Sequence, residues 1–329
     1  MRDHRDVPDD PTEESYEQLV ARIAKIVRDD GQPIKRQHVI SKVVLKQFTR
    51  PTGDRTPPTM KLCRFDLARG VGREVTTGGA GYVENYVRVA SRSAEALWHT
   101  VETRLDDAIA ACLRRSVFDE PAHVDIIKDT LALHYARSKA TKQIHEDAVH
   151  TATARSLVRI RTERLPRMRE VFVEHYGREP SDDELDDIER TMRDGAEQVD
   201  SDAIFRANLP QLFEMTREFV RGHALEVACP AGGEFLIGDV PVLSPPPRAD
   251  SPAIRRSVGL YEASAVVMPL GPQLAVSTGD VDQLVVLAED AVRDLNRAQV
   301  EAAISHVHFR IGSQLEDFVR SIPRPQTQD

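Results

Sequence analysis

The chain has 329 residues, 40% hydrophobic and 29% charged, with a formal net charge of −9 and a pI near 5.7. That balance suits a water-facing globular protein with enough chain for a real core, in one large domain or two smaller ones. It argues against a chain-wide nucleic-acid footprint, and no apolar run approaches the roughly 20 residues that span a bilayer.

Residues 1–13, charged and Pro-containing, lack the apolar run of a secretory signal and predict a disordered leader. Over 14–29, Tyr16, Leu19, Ile23 and Val27 follow a helical period until Gly31 and Pro33 break it. In "KRQHVISKVVLKQF", Ile40, Val44 and Phe48 recur every four residues. A short helix is expected there, with His38 at or just before its first turn. "PTGDRTPPT" predicts a loop, "MKLCRFDLARGVGREVTT" a hairpin, and "GGAGYVENYV" flexible glycines ahead of Glu84.

From Ser91 to about Arg169 the pattern is helical. One stripe joins Leu97, Val101, Leu105, Ile109 and Cys112; a second joins Ile127, Leu131, His134 and Ser138; a third segment bends or restarts at Pro166. Ser181 and Glu184 form a capping box for a helix that Gly195 should end, and a further helix covers about 208–222. The last third changes character. "ALEVACPAGGEFLIGD" predicts a hairpin, "PVLSPPPRADSP" an exposed loop, and "GLYEASAVVMPLGPQLAVST" two strands around Gly271-Pro272. A helix ("EDAVRDLNRAQVEAAISH"), a strand ("VHFRIG") and a last helix ("SQLEDFVRSI") follow, then a flexible tail over 321–329. The fold class is α+β: a single domain over 14–320, helical over about 91–222, β-rich over about 223–312, with small antiparallel β elements from both end thirds.

Cys63, Cys112 and Cys229 are odd in number and form no C-x-x-C, which disfavours a disulfide framework or a cysteine zinc site and makes a reducing cytoplasm the expected home. Charge is unevenly spread. Residues 137–169 carry nine Lys/Arg against three Asp/Glu, and residues 179–202 carry eleven Asp/Glu against two Arg. Two helices neutralising each other explain this more simply than a basic nucleic-acid surface guarded by an acidic flap.

Phosphate-loop, dinucleotide, zincin and nucleophile-elbow signatures are absent, so any active site is assembled from dispersed residues. His38 either starts a helix or does chemistry. Asp239, just past an apolar strand and fixed by Pro241, either accepts backbone N–H groups in an Asx-turn or belongs to a site. His306 and His308 would share one face of a strand, a metal-ligand spacing that an exposed strand face explains as well. Glu95 and Glu102 share a helix face, as do His134 and Arg137. They are either solvent-facing or paired polar groups, or walls of one polar cavity.

"QHVISKVVLKQF" resembles the opening motif of the domain of unknown function 4238 family: His, two residues, usually Pro, then Leu and Phe at helical spacing. Here Ser41 stands at the proline position. In order, "AEALWHTVE" resembles the family's paired-Glu helix and "ALHYARS" its helix ending in Arg. "FLIGDVPV" resembles its strand with Asp-x-Pro, "VVMPLGPQLAV" its Pro-Leu strand pair, and "LNRAQVEAAISHVHF" its closing helix and strand, over about residues 36–310. The resemblance implies His38, Glu102, Arg137, Asp239 and Asn296 as site positions, and no particular reaction.

Two functions follow as expectations. One is a non-catalytic sensor or interaction module, in which these residues form a buried polar network or bind a small ligand. The other is a hydrolase, acting on a phosphodiester or nucleic acid, with His38 as base or metal ligand. Asp239 and Glu102 would bind a divalent cation or orient water, and Arg137 would bind an anionic substrate. Cofactor, metal and partner are unknown from sequence.

Overall fold

A computed structural model describes residues 34–53, 56–88, 91–197, 200–246 and 259–323. The leader, the helix predicted over 14–29, the second half of the Pro-rich loop and the end of the tail lie outside these residues; the first half of that loop, expected to be exposed, buries Val242, Leu243 and Ser244.

The N-terminal part is built to hold His38 still. Strand β1 (Arg36–His38) pairs antiparallel with β5 (Tyr82–Glu84), setting His38 opposite Tyr82. The buried Gln37 extends this pairing through its side chain. Its Nε2 donates to the Val87 carbonyl (3.0 Å), and its Oε1 accepts from the Val87 N–H (2.7 Å). Helix α1 (Lys42–Gln47) follows, capped by Ser41, whose Oγ accepts from the Val43 N–H at 3.1 Å. The expected short helix is there, with His38 ending the strand before it.

The Gly81 carbonyl accepts from both Val39 and Ile40 (2.9 and 3.2 Å), closing the loop from the other side. Gly81 has φ +63°, and a Cβ on it would lie 2.6 Å from Leu45 Cδ1. Only glycine lets the backbone pass this close to α1.

The predicted hairpin is β3 (Thr59–Asp66) with β4 (Val71–Val75). The stretch read as a loop before it contains a third strand, β2 (Arg50–Thr52), paired with the start of β3.

In the helical middle the structure breaks two helices that the apolar periodicity ran through. α2 (Ser91–Glu102) and α3 (Leu105–Leu113) are separated by a turn at Thr103–Arg104. α4 (Pro121–Ala136) ends at Arg137, and Ser138, in an extended conformation, caps α5 (Lys139–Arg159) by accepting from the Thr141 N–H at 3.1 Å. The capping preference of serine overrides the stripe.

A π-turn over Ile160–Arg164 leads into α6 (Leu165–Tyr176) at the expected restart near Pro166. The capping box forms, with the Ser181 N–H donating to Glu184 Oε2 (2.8 Å) and the Glu184 N–H to Ser181 Oγ (3.3 Å). It opens α7 (Asp182–Glu197), which runs through Gly195 instead of stopping there. α8 (Ser201–Arg221) starts earlier than expected because Asp200 caps it. α5 buries no residue. The basic and acidic runs meet across this arm through exposed ion pairs such as Arg161–Glu189 at 2.8 Å, each of small energetic weight.

The main core joins α1, α2, α3, α4 and α8 to the C-terminal strands, with Trp98, Ile109, Leu131, Phe205 and Met268 buried within it. The hairpin predicted over 224–239 does not form. β6 (Ala224–Pro230) pairs with β9 (Leu274–Gly279) on one side and, in parallel, with β10 (Gln283–Leu287) on the other. β7 (Ile237–Gly238) joins a different sheet, beside β11 (His306–Phe309). β6 finds its partners at long range, which alternation alone does not reveal.

β8 (Val267–Gly271) and β9 form the expected strand pair around Gly271-Pro272. α9 (Glu289–Ala302) and α10 (Leu315–Ser321) flank β11. The fold is α+β, with antiparallel pairing everywhere among the named strands except β6–β10. Among the described residues no helix is long and apolar enough to cross a membrane.

Gly81→Ala is expected to destabilise the fold by about 2–4 kcal/mol, combining left-handed strain with overpacking against Leu45. Gly177 has φ +65° but open space around it. Gly177→Ala should therefore cost only about 1 kcal/mol. Equal losses of the two variants in urea unfolding would contradict the steric account.

Candidate functional site

Three segments converge on one cluster. β1 contributes His38 and α1 contributes Lys42. α2 contributes Glu95, Trp98 and Glu102, spaced three and then four residues apart on one helical face. The end of α4 contributes His134 and Arg137.

His134 is fully buried. Its Nδ1–H donates to the Thr130 carbonyl (2.8 Å), so Nε2 is an acceptor. Nε2 receives two donors, the Ser41 N–H at 3.0 Å and Arg137 Nη2 at 2.8 Å. Burial first, then the Arg137 charge, hold this imidazole's pKa well below the usual value, which keeps the lone pair available.

Arg137, 1% exposed, lies with Nη2 2.7 Å from Glu102 Oε1, an ion pair that lacks the angles of a hydrogen bond. Its guanidinium sits 5.3 Å over the Trp98 ring.

Around this core, polar atoms are buried without a hydrogen-bond partner among the described residues: His38 Nε2, Glu95 Oε1, Trp98 Nε1, Glu102 Oε1 and Arg137 Nε. Buried polar groups are ordinarily satisfied, so five such atoms from mutually interacting residues mark an unusual place. His38 and Glu95 are only half-buried, and Glu102 is 21% exposed at its side chain, so the cluster opens to solvent.

The electrostatics split the two titrating groups. Burial, then the Lys42 and Arg137 charges, lower the His38 pKa to about 4, against smaller opposing effects of Glu102 and the Thr77 carbonyl. With Nε2 unpartnered, a proton held on Nδ1 leaves the Nε2 lone pair open. Burial raises the Glu95 pKa to about 7; Arg137 and Lys42 oppose this, and Glu102 adds to it. At neutral pH His38 is a free base and Glu95 is part carboxylic acid.

The other sequence candidates stand elsewhere. Asp239 is buried, with Oδ1 accepting from the Ile304 N–H (2.8 Å), Oδ2 from the Ser305 and His306 N–H groups (3.0 and 3.3 Å), and Lys139 Nζ 2.6 Å from Oδ2. Its carboxylate thus serves backbone N–H groups distant in sequence, where an Asx-turn would use its own. Asn296 Oδ1 accepts from the Leu236 N–H (2.9 Å), and its Nδ2 donates to the Glu234 carbonyl (2.8 Å). Among the described residues no hydrogen bond or ion pair joins either of them to the His38 cluster.

His306 and His308 do stand two apart on β11, on one face of the strand, but His308 is buried rather than exposed. Burial, then the His306, Arg64 and Lys139 charges, lower its pKa to about 3. Among the described residues no group of three or more His, Cys, Asp or Glu side chains is placed to hold a metal ion. Trp98 and Lys42 were not legible as site residues. The 95/98/102 spacing around the chain's single tryptophan was the available signal.

Residues 36–313 match the family described as "Protein of unknown function (DUF4238)", an interval that runs from β1 to the turn before α10 and contains every residue of the cluster. No curated protein and no solved structure matches the chain. With most of its length covered, the chain belongs to the DUF4238 family.

Proposed function

We propose that the His38–Glu95–Glu102–Arg137 cluster binds a small polar ligand and that the protein is a ligand-binding module. The carrying observation is the set of four buried polar atoms with neither a hydrogen-bond nor an ion-pair partner among the described residues. Two are acceptors (His38 Nε2, Glu95 Oε1) and two are donors (Trp98 Nε1–H, Arg137 Nε–H). A ligand that both donates and accepts relieves their desolvation, which otherwise costs about 1–3 kcal/mol per group. Trp98 supplies a flat wall, and Arg137 is locked by His134 and Glu102, so binding need not pay for ordering it.

A hydrolytic reading has one observation of its own, the opposite displacement of two pKa values. His38 Nε2 would take a proton from water while the Glu95 carboxyl gives one to the leaving oxygen, so protons balance across the step. Asp239 has no part in this version, because its oxygens already hold three backbone N–H groups and Lys139.

The test is a thermal-shift panel with AMP, D-ribose and inorganic phosphate, with and without divalent cations, on wild type, His38→Asn and Glu95→Gln. Binding predicts that at least one compound raises the wild-type Tm, and that both variants lose this shift while melting close to wild type. Variants several degrees less stable, with no compound shifting any protein, would make the cluster a fold-holding network instead.

NMR titration is expected to place the His38 midpoint near 4 and the Glu95 midpoint near 7. If the protein hydrolyses bis(p-nitrophenyl) phosphate or p-nitrophenyl acetate, the base needs pH above about 4 and the acid needs pH below about 7. The rate should then be bell-shaped between these limbs, and Glu95→Gln should abolish the alkaline limb with a loss of about 10²–10⁴-fold. A rate that keeps rising through pH 8 excludes Glu95 as the acid.

A further inference from the structure

A cavity of about 440 Å³ lies between α9 and the segment joining β11 to α10, and none of its walls belongs to the His38 cluster. Its volume is that of a small-molecule site. Glu234 and Ser313 line it, and each leaves one buried oxygen, Glu234 Oε2 and Ser313 Oγ, without a partner among the described residues.

The Glu234 carboxylate is presented rather than loose. Its Oε1 pairs with Arg310, and its backbone carbonyl is held by Asn296 Nδ2 at 2.8 Å. Asn296 also fixes the Leu236 N–H, so one buried amide sets the position of the whole 234–236 segment. This gives Asn296 a positioning role at this cavity.

Arg293, on the same helix as Asn296, has no carboxylate partner among the described residues. Its guanidinium lies 5.6 Å over the Phe318 ring, also in the wall. Val292 and Leu315 make the apolar part of the lining.

The walls therefore offer a buried acceptor with negative charge, a free cation about a flat ring, a hydroxyl that can donate, and an apolar patch. We propose that this cavity is a second binding site, for a small zwitterion with an apolar body, of the class of a free apolar amino acid. The ammonium meets Glu234 Oε2, the carboxylate meets Arg293 and the Ser313 hydroxyl, and the side chain covers Val292 and Phe318. The lining carries both signs, Glu234 and Glu289 against Arg293 and Arg310, which favours a ligand bearing both charges over a simple anion or a simple cation.

The test uses the full chain and the probes L-leucine, L-phenylalanine, leucinamide, isocaproate and inorganic phosphate, read by thermal shift and calorimetric titration. L-Leucine or L-phenylalanine at millimolar concentration should raise Tm by a few degrees. Leucinamide lacks the carboxylate and isocaproate the ammonium, so both should bind more weakly. Glu234→Gln and Arg293→Gln should each weaken binding by about tenfold or more. Arg293 is exposed, so its variant keeps the test intact if the Glu234 variant does not fold.

His38→Asn should leave the amino-acid response unchanged, which separates this site from the proposed function of the first. The proposal is overturned by no response to either amino acid, or by a response that survives Arg293→Gln. A response to phosphate alone, or one that His38→Asn abolishes, also overturns it.

Discussion

The lone pair on Nε2 of His134 holds two parts of the molecule in register. It accepts at once from the Ser41 backbone and from Arg137, with its other nitrogen committed to the Thr130 carbonyl. A protonated ring would donate from both nitrogens and could accept neither bond. Complete burial beside a guanidinium keeps the ring neutral. The N-terminal strand–helix junction is thereby tied to the end of α4, 93 residues away in sequence. His38 sits three residues before the tied position, and Arg137 three residues after the tying one. A proline at position 41 would have no N–H to give, so this tie depends on the residue type there.

Elsewhere buried polar side chains replace missing strand partners. Asn296 and Gln299, one helical turn apart on α9, serve the irregular 234–241 segment. Gln299 accepts from the Gly238 N–H (2.8 Å) and donates to the Pro241 carbonyl (3.0 Å). Asp239 does the same for residues 304–306, and Gln37 for Val87. These groups are buried and saturated, which is how polar residues stabilise a core. The His38 cluster differs because its groups repel or desolvate one another and retain free valences.

Several elements could be read from local pattern because local physics decides them. The Ser181–Glu184 box, the restart near Pro166 and the β3–β4 and β8–β9 pairs each depend on residues within one turn or one hairpin. Local pattern failed where a short-range preference competed with a stripe, as at Ser138, or where a strand's partner lay far along the chain, as with β6 and β7. Of five candidate site positions, His38, Glu102 and Arg137 share one cluster, while Asp239 and Asn296 serve backbone groups elsewhere. Residue type could not separate them, because a carboxylate that binds substrate and one that caps backbone N–H groups look alike in a sequence.

The sequence by itself determined the α+β class, the helical middle, most helix starts and the residue types available for chemistry. These follow from periodicity, capping and turn preferences acting over a few residues. Tertiary structure alone decided which polar groups stay unsatisfied, and where burial strips water from the imidazole of His38 and the carboxyl of Glu95, lowering the one pKa and raising the other. Desolvation and charge coupling depend on what surrounds a group in space, and those surroundings come from segments about 100 residues apart brought together only by the packed core.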